Sequence, residues 1–290
     1  MQKTISSWPG NKKLAVMVTV MFEVWSEGKA PPYSPMTTSL KPGTPDLLAI
    51  SWSQYGGRTG VWRFMRIFDD AEIKATVCLS AKAAELFPEA VTELHKRGHE
   101  IAGHSYTQDL ILPYLSPQEE KEVIQRCARM IEKAVGVRPV GWFSPVAAPT
   151  AHTAEFLAEE GFVWHGDYND TDLPYAFETK KGKLVAIAHS DFTDNRTLRS
   201  SPRDFYNVYK DTFDYLYRHE APSLINLTVH AHFRGRPLMA AMLHELLRYM
   251  RGFPDVWFAR HDEVRALGAV GLELFTRLKP EGSTSAVAVP

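Results

Sequence analysis

The sequence has little cysteine, no excess of charge of either sign and no long apolar run. Its 290 residues include only 2 cysteines, Cys78 and Cys127, too few for a disulfide framework, so both are predicted to be buried structural thiols. The 33 basic and 34 acidic side chains give a net charge of -1. Binding to nucleic-acid phosphates or to anionic lipid needs clustered Lys and Arg. We therefore expect neither a nucleic acid nor a membrane as partner.

The sequence also lacks the features that direct a chain into or across a membrane. No apolar segment approaches the ~20 residues that span a bilayer, since the run that starts at Leu14 ends at Glu23. The first residues lack the basic start, apolar stretch and small-residue cleavage site of a secretory signal. These observations predict a soluble, cytoplasmic protein.

The apolar residues that are present follow an alternating α/β pattern. Hydrophobic residues make up 44% of the chain, and short apolar runs alternate with longer amphipathic ones, which indicates parallel strands with crossover helices. The clearest helix signal is the capping box Ser116-Pro117-Gln118-Glu119, with Gly136 as the stop. Strands are predicted at residues 14–21, 74–79, 100–102, 140–143, 162–164, 184–188, 223–229 and 256–258, and helices at 60–71, 88–97, 117–135, 151–160, 202–218, 237–251 and 261–267.

Two segments depart from this pattern. Residues 29–55 are rich in proline and have little periodicity, which predicts an active-site loop or lid, with a passive surface excursion as the alternative. Residues 268–290 predict a flexible tail. Neither a repeat nor a linker divides the chain, so residues 1–290 are predicted to form a single domain.

Polar side chains follow several of the predicted strands. Glu23 follows the first strand, His104 the third and His230 the strand at residues 223–229. Because the carboxyl ends of parallel strands meet at one edge, these side chains are expected to converge there.

Residues 18–23 (VTVMFE) and 98–105 (GHEIAGHS) resemble the first and second motifs of the polysaccharide deacetylase-like superfamily, also called carbohydrate esterase family four. The resemblance implies a distorted parallel (β/α) barrel with about seven strands. In the metal-dependent members, the first motif supplies two aspartates and the second supplies two histidines four residues apart. Here Glu23 precedes Val24, and Gln108 stands where the second histidine belongs.

These departures weaken the case for a metal. A zinc-like ion needs about three charged or imidazole ligands, and a neutral amide is a poor substitute. No cofactor is therefore favoured. The alternative is one divalent metal such as zinc, held by Glu23 and His104 with Asp109 or His230.

Four further segments are similar to the metal-independent allantoinases and cyclic imide hydrolases. These segments are residues 55–63 (YGGRTGVWR), 138–142 (RPVGW), 172–175 (DLPY) and 235–237 (GRP). The resemblance implies an amidohydrolase that opens a small cyclic amide, an imide or ureide, with water as nucleophile. It also suggests a homo-oligomer, a dimer or tetramer, with a small-molecule substrate as partner.

Ring opening needs a base for water, a donor to the oxyanion and a proton for the leaving nitrogen. Glu23 is the candidate base, with a pKa expected to be raised by desolvation. His104 is a candidate oxyanion donor, acid or ligand, and His230 is a candidate acid or orienting group. His230 is favoured over His232 because only one of the two is expected to face the site.

Substrate-binding candidates lie in the later loops. Asp191, Asp194 and Arg196 could hold ring N–H and carbonyl groups, since a carboxylate accepts and a guanidinium donates. Trp142 is expected to form a wall of the ring pocket, and Asp172 begins one of the matched segments. The further candidates for the pocket walls are Phe143, Trp25 and Trp164, while His165 and Asp167 could serve in substrate contact or in loop scaffolding.

Two other functions remain open. One is a metal-dependent deacetylase of an N-acetylated amino sugar or glycan. The other is a catalytically inactive barrel that binds a small ligand, which the loss of the two expected ligands motivates.

Overall fold

The computed structural model describes residues 7–41, 43–190, 192–197 and 201–270. The strands are β1 (Leu14–Phe22), β2 (Thr76–Leu79), β3 (Glu100–Gly103), β4 (Gly141–Trp142), β5 (Trp164–His165), β6 (Tyr175–Thr179), β7 (Gly182–Ala186), β8 (Ser223–His230) and β9 (Val256–Ala259). The helices are α1 (Leu47–Tyr55), α2 (Val61–Asp70), α3 (Ala83–Leu86), α4 (Pro88–Lys96), α5 (Pro117–Val135), α6 (Thr153–Glu159), α7 (Asp194–Thr197), α8 (Arg203–His219), α9 (Pro237–Arg251) and α10 (His261–Val270).

The strands form one curled sheet with the order β6-β7-β5-β4-β3-β2-β1-β8, and β9 pairs with β1 outside this path. All pairs are parallel except β6 with β7. This arrangement confirms the expected distorted, mostly parallel α/β barrel, with more strands in the described residues than the seven or so predicted.

Strand β1 is hydrogen-bonded to other strands along both of its edges. Its nine residues are all buried, and it pairs with β8 along nearly its whole length while β9 and β2 share its other edge. Such burial on both faces explains why β1 is a continuous apolar run instead of an alternating one. Its carboxyl end places the next residue, Glu23, at the mouth of the barrel.

The predicted helices are present within a few residues. The capping box of α5 is confirmed: Ser116 accepts from the Glu119 backbone N–H, the Glu119 side chain accepts from the Ser116 backbone, and Gly136 ends the helix at φ 78°. Both cysteines are buried and free, Cys78 in β2 and Cys127 in α5. Among the described residues, no helix is both long enough and apolar enough to cross a bilayer.

Four elements were not predicted: the helices α1, α3 and α7 and the strand β6. Helix α1 lies inside the proline-rich segment 29–55, where Asp46 caps it by accepting from the Ala49 N–H. The expectation of an irregular segment up to residue 55 is therefore wrong from Leu47 onward. Strand β6 forms an antiparallel hairpin with β7. Most of the predicted tail, residues 271–290, lies outside the described residues.

Candidate active site

Glu23 follows β1 directly and is 7% exposed. Its Oε1 lies 3.3 Å from His104 Nε2 and 3.8 Å from His230 Nε2. The three candidate catalytic residues of the sequence are thus brought together at the carboxyl ends of three strands, β1, β3 and β8.

The orientation of His104 is set by the backbone. Its Nδ1 lies 2.7 Å from the carbonyl oxygen of Phe143, and because a carbonyl can only accept, Nδ1 carries a proton. The opposite nitrogen, Nε2, consequently faces the Glu23 carboxylate. Both sides of the His104 ring are therefore engaged, which fits a residue that holds Glu23 in place.

His230 is held by Asp194. The carboxylate of Asp194 contacts both the backbone N–H of His230, at 2.7 Å, and its Nδ1, at 2.5 Å. Behind Asp194 lies Arg234, whose side chain is fully buried and whose Nε is 4.0 Å from Asp194 Oδ2. The structure places Asp194 behind His230 instead of at the substrate, because both of its carboxylate oxygens bind His230.

The expected rise in the pKa of Glu23 is wrong. Burial does raise this pKa, but the charge of His230 and the close contact with His104 outweigh it and lower the pKa to about 2. Burial likewise lowers the pKa of His230, yet the charges of Asp194 and Glu23 raise it to about 9. At neutral pH the site therefore holds a carboxylate at Glu23 and an imidazolium at His230.

Tyr33 and His232 also belong to this site, and the sequence had not identified Tyr33. The Tyr33 hydroxyl donates to Glu23 Oε2 at 3.0 Å and lies 3.2 Å from His232 Nε2. His232 Nδ1 is 3.9 Å from the same carboxylate oxygen. The expectation that His232 points away from the site is wrong, because the turn after β8 brings its ring behind Tyr33. Burial is the main cause that lowers the pKa of His232 to about 4.

These groups surround a cavity of about 180 Å³. Glu23, His104 and His230 line its reactive end, and Tyr33 lines it from the proline-rich segment. The other lining residues are Met21, Phe143, Val146, Ala147, His189, Thr193, Asn195, Arg196 and Thr228. Of the predicted substrate-binding residues, Arg196 lies at this cavity.

The other predicted substrate-binding residues lie elsewhere. Trp142 is fully buried in the core against the ring of Phe162, so Phe143 and not Trp142 forms a wall of the cavity. Asp172 is exposed and lines a separate cavity of about 520 Å³ between β7 and β8. Asp191 lies outside the described residues.

The remaining aromatic and paired candidates have structural contacts. Trp25 packs edge-on against His232 at 5.3 Å between centroids, while Trp164 stacks on His261 in the barrel interior. Asp167 accepts from the backbone N–H and the hydroxyl of Ser144, and His165 lies 3.6 Å from it. Asp167 therefore holds the loop after β4, which is the scaffolding role.

The glycine-rich segment 55–63 has a packing role. A Cβ on Gly60 would lie 2.1 Å from the carbonyl oxygen of Ala231, and one on Gly56 would lie 3.1 Å from the backbone nitrogen of His232. Only glycine permits this approach. The segment therefore fixes the turn that carries His232.

The residues present do not fit the metal triad of the deacetylases. Gln108 takes the place of the second histidine, and its amide nitrogen donates to Ser80 Oγ and to the His104 carbonyl, both at 2.9 Å. Asp109 binds Lys29 at 2.8 Å and the Ser26 N–H. Within the described part of the chain, no group of three His, Cys, Asp or Glu side chains has the geometry of a metal site.

Comparisons with known proteins show similarity to polysaccharide deacetylases. The family model described as Polysaccharide deacetylase matches residues 44–164. A putative polysaccharide deacetylase of Schizosaccharomyces pombe is 24% identical over 291 residues, which cover 89% of this chain and 90% of that protein.

Two solved structures are similar over nearly the whole chain. A probable polysaccharide deacetylase from Pseudomonas aeruginosa and PuuE allantoinase each have a TM-score of 0.83 and 26% identity. Each alignment covers 93% of this chain, with 95% of the former structure and 94% of the latter. The chain thus matches the polysaccharide deacetylase-like superfamily and its allantoinase-like branch, as its motifs indicated. It is an enzyme of the deacetylase-like type, a hydrolase that acts on carbon–nitrogen bonds.

Proposed function

We propose that this protein opens a small cyclic amide, an imide or a ureide, by adding water across a ring carbon–nitrogen bond. The observation that carries the proposal is the cavity of about 180 Å³ over Glu23 and His230, covered in part by Tyr33. This volume is below the roughly 300–1,000 Å³ of sites for drug-sized ligands. It suits a small ring, whereas a glycan chain needs an open groove.

The charges of Glu23 and His230 support opposite roles in this reaction. The Glu23 carboxylate accepts a proton from water as the water oxygen attacks the ring carbonyl carbon. His230 then donates its Nε2 proton to the leaving nitrogen as the C–N bond breaks. The products are a carboxyl group on carbon and an N–H on nitrogen, so the atoms of one water molecule are accounted for.

The two proton transfers are linked through the charge of His230. This positive charge is a main cause of the low pKa of Glu23. When His230 gives its proton to the leaving nitrogen, that cause is removed and Glu23 holds the proton taken from water more tightly. Transfer of this proton from Glu23 to His230 restores the resting site for the next turnover.

A panel of hydrolysis assays tests the proposal. Purified protein is incubated with succinimide, hydantoin, allantoin and N-acetylglucosamine, and the products are identified by mass spectrometry. The proposal predicts a ring-opened product from at least one of the cyclic compounds and no acetate from the sugar.

The panel also separates the alternatives. The similarity to proteins named deacetylases favours the second candidate, a metal-dependent deacetylase of an amino sugar or glycan. Acetate release that depends on added zinc would establish that candidate and contradict ours. Binding of a ring or sugar without any turnover would establish the inactive barrel instead.

We further propose that the protein acts in the cytoplasm as a single-domain homo-oligomer, a dimer or tetramer, with a small-molecule substrate. Support comes from the resemblance to the allantoinase-like branch. Light scattering of the purified protein measures the mass in solution, and a mass equal to one chain would contradict the oligomer.

A further inference from the structure

The hydrolysis needs a donor to the oxyanion, and three of the side chains at the reactive end are already engaged. Glu23 is an acceptor, and the Nε2 proton of His230 goes to the leaving nitrogen. His104 binds the Phe143 carbonyl with Nδ1 and faces Glu23 with Nε2. In the metal-dependent relatives a metal ion could carry out this task, but the residues here do not fit one. The oxyanion therefore needs a different partner.

Tyr33 is placed to be that partner. Tyr33 lines the cavity, and its hydroxyl lies 3.0 Å from Oε2 of Glu23, the residue proposed as the base for the attacking water. The attacking oxygen and the carbonyl oxygen become bonded to the same carbon, so a donor next to the base is close to both. Preorganised donors aimed at a developing negative charge give large rate effects.

The position of the phenol is fixed from behind. The hydrogen of Tyr33 points to Glu23, so His232 Nε2–H donates to the phenolic oxygen at 3.2 Å. The rings of Trp25 and Trp52 pack against His232 at centroid distances of 5.3 and 5.0 Å. Burial and the charge of Glu23 raise the pKa of Tyr33, so the phenol keeps its proton over the working pH range.

We infer that Tyr33 is a catalytic residue that stabilises the oxyanion of the tetrahedral intermediate, and that His232 is its positioning residue. This inference rests on the proposed function for the identities of the base and the acid. Water gives its proton to Glu23 while its oxygen bonds to the carbonyl carbon and the π electrons move to the carbonyl oxygen. Once Glu23 is protonated, it is no longer an anion that attracts the Tyr33 hydrogen. The Tyr33 O–H then rotates about its C–O bond and donates to the oxyanion. The C=O bond reforms as the C–N bond breaks and His230 protonates the nitrogen.

The variant Tyr33→Phe removes only the hydroxyl, and Tyr215→Phe in α8 is its matched control. Both tyrosines are partly exposed, Tyr33 by 41% and Tyr215 by 55%, and Tyr215 does not line the cavity. For Tyr33→Phe we expect kcat to fall by about 10²- to 10³-fold with little change in KM. The acid limb of the pH profile should also move to higher pH, because Glu23 loses a hydrogen bond to its charged form. Tyr215→Phe should stay within about twofold of the wild type.

A binding measurement gives a second readout that needs no turnover. A cyclic phosphonamidate carries an anionic oxygen on a tetrahedral phosphorus and so mimics the intermediate. We expect Tyr33→Phe to bind it at least about tenfold more weakly than the wild type, which corresponds to one missing hydrogen bond to a charged oxygen. Equal affinity, or a change in KM alone, would overturn the inference and leave Tyr33 as a cover for the cavity.

The test remains valid if the proposed substrate class is wrong. If the wild type opens none of the rings but releases acetate from N-acetylglucosamine, the cyclic-amide proposal fails. A tetrahedral oxyanion forms in that reaction too, so a loss of kcat in Tyr33→Phe would still support the role of Tyr33, and unchanged kcat would still contradict it.

Discussion

Asp194 binds His230 at two points, the backbone N–H at 2.7 Å and the imidazole Nδ1 at 2.5 Å. The first contact fixes the end of β8 and the second fixes the ring, so one carboxylate sets both the position and the charge of the acid. The charge of Asp194 is the largest cause that raises the pKa of His230. Asp194 therefore decides over which pH range the leaving nitrogen can be protonated.

The variant Asp194→Asn tests this relationship. In the wild type, activity should decline as the pH rises through about 9, the pKa at which His230 loses its proton. With Asn at this position the main cause of the raised pKa is gone, so the decline should move to lower pH. Steady-state rates between pH 6 and 10 measure the shift, and the exposed Asp211→Asn in α8 is the control. An unshifted basic limb would show that His230 is not the titrating acid.

The shifted pKa values of His230 and Glu23 also make the free energy of unfolding depend on pH. The folded-state pKa of His230 lies above its usual 6.5, so its contribution is complete below pH 6.5 and is lost as the pH rises through about 9. Glu23, whose folded-state pKa is about 2, contributes above pH 4.5 and loses this contribution as the pH falls through about 2. The difference in melting temperature between wild type and Asp194→Asn should therefore shrink as the pH rises from 7 to 10. A constant difference over that range would contradict the assigned charge of His230.

Glu23→Gln tests the proposed base. The amide cannot take a proton from water, so turnover should fall by about 10²- to 10⁴-fold while the circular-dichroism spectrum stays unchanged. The exposed Glu85→Gln in α3 serves as control. Full activity in Glu23→Gln would remove Glu23 from the role of base.

Gly60→Ala tests the support of the His232 turn. The added Cβ would lie 2.1 Å from the Ala231 carbonyl oxygen, and neither backbone can give way without moving the turn. We expect a loss of about 1–3 kcal/mol in the free energy of unfolding, typical of overpacking, together with reduced turnover. Urea denaturation measures the first effect. Unchanged stability would mean that the two segments are not in the close contact described.

Ser116→Ala tests the capping box of α5, which has a structural role and no part in the proposed reaction. Loss of the hydroxyl that accepts from the Glu119 N–H should cost about 1 kcal/mol. Turnover should remain at the wild-type level, since α5 packs on the outside of the sheet. A loss of activity at full stability would contradict a purely structural role for this cap.

The sequence predicted the parts of the fold that depend on local pattern. The apolar run of β1 and the capping box of α5 are encoded within a few neighbouring residues, and both were found. Helix α1 had a comparable start signal, with Pro45 and Asp46 directly before Leu47. The other prolines in the segment nevertheless favoured the prediction of an irregular loop. The hairpin of β6 and β7 had a turn signal, since Lys180 and Lys181 lie between the two strands and Gly182, at the start of β7, has a positive φ.

The site could be predicted only in part. The motifs and strand ends pointed to Glu23, His104 and His230, but the direction of the Glu23 pKa depends on charges that arrive from other strands. The burial of Glu23 can be inferred from the apolar run before it. The effect of the His230 charge cannot be inferred in this way, because only the folded sheet brings the two side chains to 3.8 Å. Tyr33 could not be placed, because a segment without periodicity carries no information about which strand it contacts.

We propose that this chain opens a ring amide with its own side chains, without a bound metal. The rate of succinimide opening should be measured before and after exhaustive treatment with a chelator, with the zinc content determined in both samples. We expect the same rate in the two samples. A rate that falls with the metal content and returns when zinc is added would show instead that a metal takes part in the reaction.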